Sequence, residues 1–457
     1  MRTLADNRYA IGIFLMGITV ISAAQVIYCM APSLNLDEQI HYFFAMQANW
    51  FNILKESRGD AHPPLYYFLL HLWTRLGTNP FFLRSLNLAI FLICVVFSYH
   101  VGRLWKLSVG RSLAIAATFG LSYGPSISAG ELRAYSLASL FLWGNLWYAK
   151  QDNARWKFTL MGGLAILTAY ASVFPVVVVG LLRFRKHIFL PFLFMFFIIG
   201  VFALWHSPPF QRYAILQIGA YQKSVFDLRE LFLFLRQSLQ FVNANIGPIC
   251  FIAVIFLKKA KALRYLFMTV LIAALLGKFP FSPMARHYFY LYPLLFITIA
   301  NATSDWNPVF SIALIASFIG VQTPLVLRPP TPNDSHAGPD LSDDIRSPHA
   351  IIFADPMSAR YLSWHYYRGI RPKREILPPF TQYTFDKSVV VVSYQNLIPE
   401  GATLISKTTF FPVPEPIEQF FRRYGDQVFQ SHGVQGAFFA AKVNRFNDTV
   451  SNGPTRN

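Results

Sequence analysis

The chain has 457 residues, of which 54% are hydrophobic and 17% aromatic but only 14% charged, and its net charge is +18. With a mean hydropathy of +0.38, this balance excludes an ordinary soluble globular domain, which carries more charge and fewer unbroken apolar runs. It indicates a polytopic α-helical membrane protein. The Lys and Arg residues collect in short gaps between apolar runs, as the positive-inside rule expects, so no nucleic acid is needed to explain the positive charge.

The first apolar segment runs from Tyr9 to Met30, after Arg2 and Arg8. It is longer than a signal h-region and further apolar segments follow, so it reads as an uncleaved anchor. The first gap then carries "LDEQIHYFFAMQANWFNILKESRGDAHPPLYYFLLHLW", Leu36 to Trp73. Its "EQIHYFFAMQANWFNIL" part places apolar residues at helical spacing, which suits an amphipathic helix lying on a membrane. Asp37 and Glu38 stand at the start of that helix, where its dipole favours negative charge. A capping role is the commoner case for such an Asp.

Pro63 and Pro64 can start a second helix. The segment Pro63–Gly77 covers only about 22 Å as a helix, against a hydrocarbon core of ~30 Å. It therefore reads as interfacial or half-embedded. Asp60 and His62 precede it, and a lone loop histidine proves nothing by itself.

Further spans are expected near 83–104, 111–129, 134–149, 157–171, 172–183, 187–205, 237–257, 264–281, 288–303 and 306–327. With the first, that makes about eleven. The basic gaps at Arg103–Arg111, Lys150–Lys157, Arg183–Lys186 and Lys258–Arg264 fall on one side of this arrangement. The N-terminus is then cytoplasmic, and the first outer loop (31–82) faces outward, to the periplasm if the source is a bacterium with the chain in its inner membrane. Cys29, Cys94 and Cys250 all lie in apolar segments and imply neither a disulfide framework nor a metal site.

Two later stretches reach the same outer face. "GELRAYSL" (Gly130 to Leu137) brings Glu131 and Arg133 beside the membrane, where charge is costly unless paired or functional. Arg133 offers forked donors that suit a phosphate, although snorkelling to headgroups explains it equally well. "PFSPMARHYFYLYP" (Pro280 to Pro293) brings Arg286, His287 and Tyr288, with further tyrosines that an interfacial belt would also supply.

From about Arg328 the character changes. "RPPTPNDSHAGPDLSDD" is a linker, and "AIIFAD", "SVVVVSY" and "AFFAAKV" read as strands. "MSARYLSWHYYRG" and "IEQFFRRYG" read as helices between them. The expected organisation is a transmembrane catalytic domain over 1–327 and a linker plus a small outward α/β domain over 328–457.

The ordered set carries more than its parts. An Asp-Glu pair after the first span, then D-x-H-P-P-L-Y-Y, E-x-R-x-Y-S-L and A-R-x-Y resembles the GT-C glycosyltransferases over residues 1–330. The likeness is to the branch that uses polyprenyl-phosphate sugars, such as protein O-mannosyltransferases and aminoarabinose transferases of lipid A. The resemblance implies a lipid-phosphate sugar donor and a glycan, lipid or protein acceptor. It makes Asp37 the general base, with Glu38 supporting it or binding a cation. Arg133 and Arg286 would hold the donor phosphate, with Lys55 a further contact. Asp60, His62, Glu131, His287 and Tyr288 would support the acceptor side. No cofactor is fixed, and a divalent cation is a candidate, with Glu38 and His62 as its ligands. The family's short-span pair often carries a His at its outer turn; here "LTAYASVFPV" has Tyr170 and Ser172 instead. A transporter or flippase for a lipid-linked anion is the alternative. It would place charges deep within spans and break helices at matching positions in two halves, whereas here the charges sit mostly at span ends. A third reading, a scaffold acting through its outward domain, would be argued against by the intact carboxylates and arginines.

Overall fold

The computed structural model describes residues 8–28, 30, 34–58, 60, 62–184, 200, 261–262, 264–265, 289–303, 351–354, 368–377, 380–385, 388–393, 403–408 and 438–443. These residues are mostly helical. Their helices are α1 (Arg8–Tyr28), α2 (Leu36–Ala45), α3 (Trp50–Ser57), α4 (Leu65–Trp73), α5 (Pro80–Leu104), α6 (Val109–Leu121), α7 (Tyr123–Gly130), α8 (Tyr135–Lys150), α9 (Arg155–Thr168), α10 (Val173–Arg183) and α11 (Tyr292–Ala302). Apart from residues 200 and 264–265, the spans expected near 187–205, 237–257, 264–281 and 306–327, with Arg286, His287 and Tyr288, lie outside the described residues. The chain divides into two compact units. One comprises Met1–Met30, Ser57–Tyr66 and Arg84–Pro330; the other comprises Ala31–Glu56, Tyr67–Leu83 and Thr331–Asn457.

In the first unit, α1 and α5 are long and apolar enough to cross a membrane. At 1.5 Å per residue they extend about 31 Å and ~37 Å. The helix α1 buries only a stripe, Ile18, Ser22 and Val26, at four-residue spacing. Ile13, Phe14, Met16 and Val20 on its other faces are exposed. An apolar helix with one buried stripe suits lipid on its remaining faces. Close approach to α6 depends on Gly120, because a Cβ there would collide with Ser22 Oγ. Gln25 Nε2 donates to Ser126 Oγ at 2.8 Å and ties α1 to α7.

The span expected over 111–129 is instead two helices, α6 and α7, broken at Ser122, whose backbone is extended (φ −77°, ψ 139°). Pro125 explains the break. It has no N–H to donate four residues back, and its ring would crowd the Leu121 carbonyl of a continuous helix. Ser126 N instead bonds Ser122 O at 3.1 Å in the new helix.

Directly after the break, Gly124 is covered by Tyr292 of α11, whose hydroxyl and ring occupy the space a Cβ would need. We expect Gly124→Ala to lower the thermal midpoint in detergent, at an overpacking cost of about 1–3 kcal/mol. Gly110→Ala, where the added carbon meets open space within a helix, should leave the midpoint unchanged or raise it slightly.

The α8–α9 pair turns tightly through Asn153, at φ 57°, a conformation that asparagine tolerates. Asn145 Nδ2 donates to Phe158 O at 3.0 Å between the two helices. A short 3-10 turn, Tyr170–Ser172, leads into α10. With 14 and 11 residues, α9 and α10 extend only about 21 Å and ~16 Å. Arg183 at the end of α10 donates to Ala149 O at 2.7 Å and pairs with Asp152 at 2.9 Å.

In the second unit, α2 starts at an Asn35 cap. Asn35 Oδ1 accepts from Glu38 N at 3.0 Å, while Glu38 Oε2 accepts from Asn35 N at 2.8 Å. This reciprocal capping box fixes the helix start two residues before Asp37. The residues after it, Tyr42 to Met46, are buried. Phe43 meets Tyr383 edge-on at 5.3 Å, and Tyr42 Oη accepts from Gly369 N at 2.8 Å. Gly369, at φ 87°, makes a turn that a side chain would strain. Burial pushes the Tyr42 hydroxyl up to about 12.

The C-terminal strands form one six-stranded sheet: β1 (Ile351–Ala354), β2 (Lys373–Leu377), β3 (Phe380–Phe385), β4 (Ser388–Ser393), β5 (Thr403–Thr408) and β6 (Phe438–Val443). Their order is β2-β3-β4-β1-β6-β5. β1 pairs in parallel with β4 and antiparallel with β6. The three adjacent strands β4, β1 and β6 are the β-branched and apolar runs the sequence indicates. The flanking strands β2, β3 and β5 were not expected. The two helices expected between the strands lie outside the described residues.

Candidate functional site

The first unit brings two of the sequence motifs together. Asp60 and His62 lie in the turn before α4, with Asp60 Oδ2 3.9 Å from His62 Nδ1 and each side chain 16% exposed. The His62 ring packs against Tyr135 at 5.7 Å. Tyr135 begins α8, directly after the Glu131–Arg133 turn, and stacks on Phe289 at 5.0 Å. Phe174, directly after the Tyr170–Ser172 turn, meets Tyr290 at 5.7 Å, and Tyr290 packs edge-on against Phe289 at 5.7 Å. Residues from D-x-H-P-P, from E-x-R-x-Y, from the short-helix turn and from the stretch before α11 thus share one neighbourhood.

Asn87 of α5 organises it. Its Nδ2 donates to Glu131 O at 2.5 Å and to Arg133 O at 2.7 Å, and its Oδ1 accepts from Tyr66 Oη at 3.2 Å. Glu131 has an extended backbone at the end of α7, and Arg133 N closes the turn onto Glu131 O at 2.9 Å. The amide fits because each of its two N–H groups has a carbonyl to meet. Arg133 is 7% exposed, so its guanidinium is held largely out of water. Asn87 and the buried Arg84 one turn earlier escape the sequence reading. Both sit in the first two turns of an apolar helix, and a polar residue at a span end carries no motif of its own.

Asp60 and His62 give one carboxylate and one imidazole from the same turn. Two such ligands fall short of a closed zinc or calcium site, which takes more protein donors. An imidazole beside a carboxylate suits a borderline divalent ion such as zinc or manganese that takes further ligands from other donors, rather than an all-oxygen magnesium site.

The second unit holds the other named residues. Asp37 occupies the second position of α2 and is half-buried, while its carbonyl lies 2.8 Å from His41 Nδ1. Glu38 is fully buried and one of its oxygens serves the cap. Lys55 on α3 lies over the Phe51 ring at 4.2 Å. The sequence left Asp37 as helix cap or functional group; the cap is Asn35, so Asp37 is not needed for it.

Missed entirely was a polar cluster around His71 of α4. Its Nε2 lies 3.1 Å from an Arg75 amino group, and its Nδ1 lies 2.7 Å from Ala45 O and 3.0 Å from an Arg371 amino group. Arg371 is 300 residues away in sequence, so no local pattern could reveal the pairing. No family model, curated protein or solved structure matches the chain.

Proposed function

We propose that the chain is a membrane glycosyltransferase that moves a sugar from a polyprenyl-phosphate donor to an acceptor hydroxyl on the outer face of a membrane, with inversion. The observation that carries this reading is the meeting of Asp60 and His62 with the Glu131–Arg133–Tyr135 stretch in one unit. Those motifs are far apart in sequence and each is weak alone. Two helices long and apolar enough to cross a membrane support the setting.

In this reading Asp37 accepts the proton of the acceptor hydroxyl as its oxygen attacks the anomeric carbon. The bond from that carbon to the phosphate oxygen breaks, and polyprenyl phosphate leaves as the anion. Arg133, with Arg286, stabilises the charge that grows on the leaving oxygen. Asp60 and His62 line the acceptor side. A divalent cation, where used, would sit on Asp60 and His62 and add positive charge at the phosphate.

Removing Arg133 tests the donor site directly. A charge-assisted hydrogen bond contributes about 1.5–3 kcal/mol. Arg133→Ala should therefore weaken binding of a polyprenyl-phosphate sugar by roughly tenfold to a hundredfold. The check is a binding titration with the protein in detergent. Unchanged binding removes Arg133 from the phosphate site.

A further inference from the structure

The second unit carries a site that the transfer reading does not use. Arg75 and Arg371 approach the same imidazole from opposite ring nitrogens, at 3.1 Å and 3.0 Å. Arg371 also reaches Thr74 Oγ1 at 3.2 Å and Gln47 O at 3.4 Å. Among the described residues no carboxylate pairs with either guanidinium. His71 adds no charge of its own, because its burial and the two arginines favour the neutral ring. The turn that carries Arg371 is pinned by the Gly369 N–H on Tyr42. Two fixed like charges with no acidic partner favour an anion.

The surroundings indicate where that anion comes from. Trp50 packs on His71 at 5.4 Å and on Phe68 at 5.0 Å, yet remains 44% exposed. Phe51 beside it, and Leu72 and Leu76 flanking Arg75 in sequence, are exposed as well. Both helices are short: α3 has 8 residues and α4 has 9, about 12 and 14 Å long. Short helices with bare aromatic and aliphatic residues beside basic groups are the signature of an interfacial element that prefers anionic lipid.

We infer that Arg75 and Arg371 bind the headgroup phosphate of an anionic phospholipid, whose chains lie against Trp50, Phe51, Leu72 and Leu76. The site joins the C-terminal segment to the lipid surface through Arg371. It does not depend on the transfer reading, since it is measured with no sugar donor present.

The test uses the full chain purified in a neutral maltoside detergent. Dioctanoyl phosphatidylglycerol and dioctanoyl phosphatidylcholine are titrated separately by calorimetry. With two arginines engaged, the anionic lipid should bind at least about tenfold tighter, and Arg75→Gln should remove roughly fivefold of that preference. Arg75→Lys should keep most of it, and Arg371→Gln should match Arg75→Gln. Because Arg371 is partly buried, its variant counts only with an unshifted thermal midpoint; Arg75 is exposed and decides the matter alone. Equal binding of the two lipids by the wild type overturns the site, as does full preference in Arg75→Gln. Displacement of the lipid by millimolar inorganic phosphate would mark a soluble-anion site and overturn the lipid assignment.

Discussion

Asp37→Asn is expected to lower the rate of sugar transfer by about 10²–10⁴-fold, the usual contribution of a positioned general base, with little loss of stability. The two halves of this expectation come from different observations. The rate effect follows from the proposed role: asparagine cannot accept the acceptor's proton. The small stability effect follows from the local structure. The start of α2 is held by Asn35 and Glu38, so the substitution leaves the capping box intact. Losing the charge at the helix start costs about 0.3–1 kcal/mol. Glu38→Ala is a poorer probe of chemistry, because it breaks the box. Losing a cap costs about 0.5–2 kcal/mol, so any fall in activity would be confounded with folding. Kinetics and a melting curve on the two variants together separate the roles. A large loss of rate in Asp37→Asn with an unchanged midpoint is the expected pattern; a melting defect equal to that of Glu38→Ala would make Asp37 structural.

Asn87→Ala is expected to cost more stability than Asp37→Asn, Glu38→Ala or Tyr66→Phe. The change removes the side-chain donor to the Arg133 carbonyl and one of the two donors to the Glu131 carbonyl, which keeps Arg133 N, and takes away the acceptor of the Tyr66 hydroxyl. An unsatisfied buried group costs about 1–3 kcal/mol, so a total of about 2–5 kcal/mol is expected. Single side-chain hydrogen bonds between membrane helices are usually worth less, about 0.6–2 kcal/mol. Asn87 exceeds that range because one side chain serves two carbonyls of one turn. Tyr66→Phe, which removes only the third bond, should cost ~1 kcal/mol. The measurement is the thermal midpoint of each variant in the same detergent. Equal shifts for Asn87→Ala and Tyr66→Phe would show that the carbonyl clamp contributes nothing.

How much was legible follows from which interactions are local. The start of the helix after Asn35 is readable because its apolar spacing and polar start lie within one short window, but the single helix expected over 38–54 is two, α2 and α3, separated by a turn at 46–49. The central strands β4, β1 and β6 are readable because buried strands are runs of β-branched and apolar residues. The strand β2 is not, since it begins with Lys373, Arg374 and Glu375, a composition that suits the sheet edge it occupies. The break at Ser122 was marked by Pro125, but the apolar run across it reads as one span when hydropathy alone is followed. At the candidate site, the residue types in D-x-H and E-x-R-x-Y were visible, and the structure brings those two motifs together. Asn87 and Arg84 were not visible, being isolated polar residues on an apolar helix. The His71–Arg371 contact joins residues 300 apart, so only the folded chain shows it.

The most direct test of the central claim is donor hydrolysis without acceptor. The protein in detergent is incubated with a panel of polyprenyl-phosphate sugars, and free polyprenyl phosphate is measured for wild type and Asp37→Asn. The expected result is release by the wild type from at least one donor and none by the variant, with donor binding retained. Equal release by both proteins would contradict Asp37 as the base. No release together with no binding of any donor would contradict the transferase reading itself.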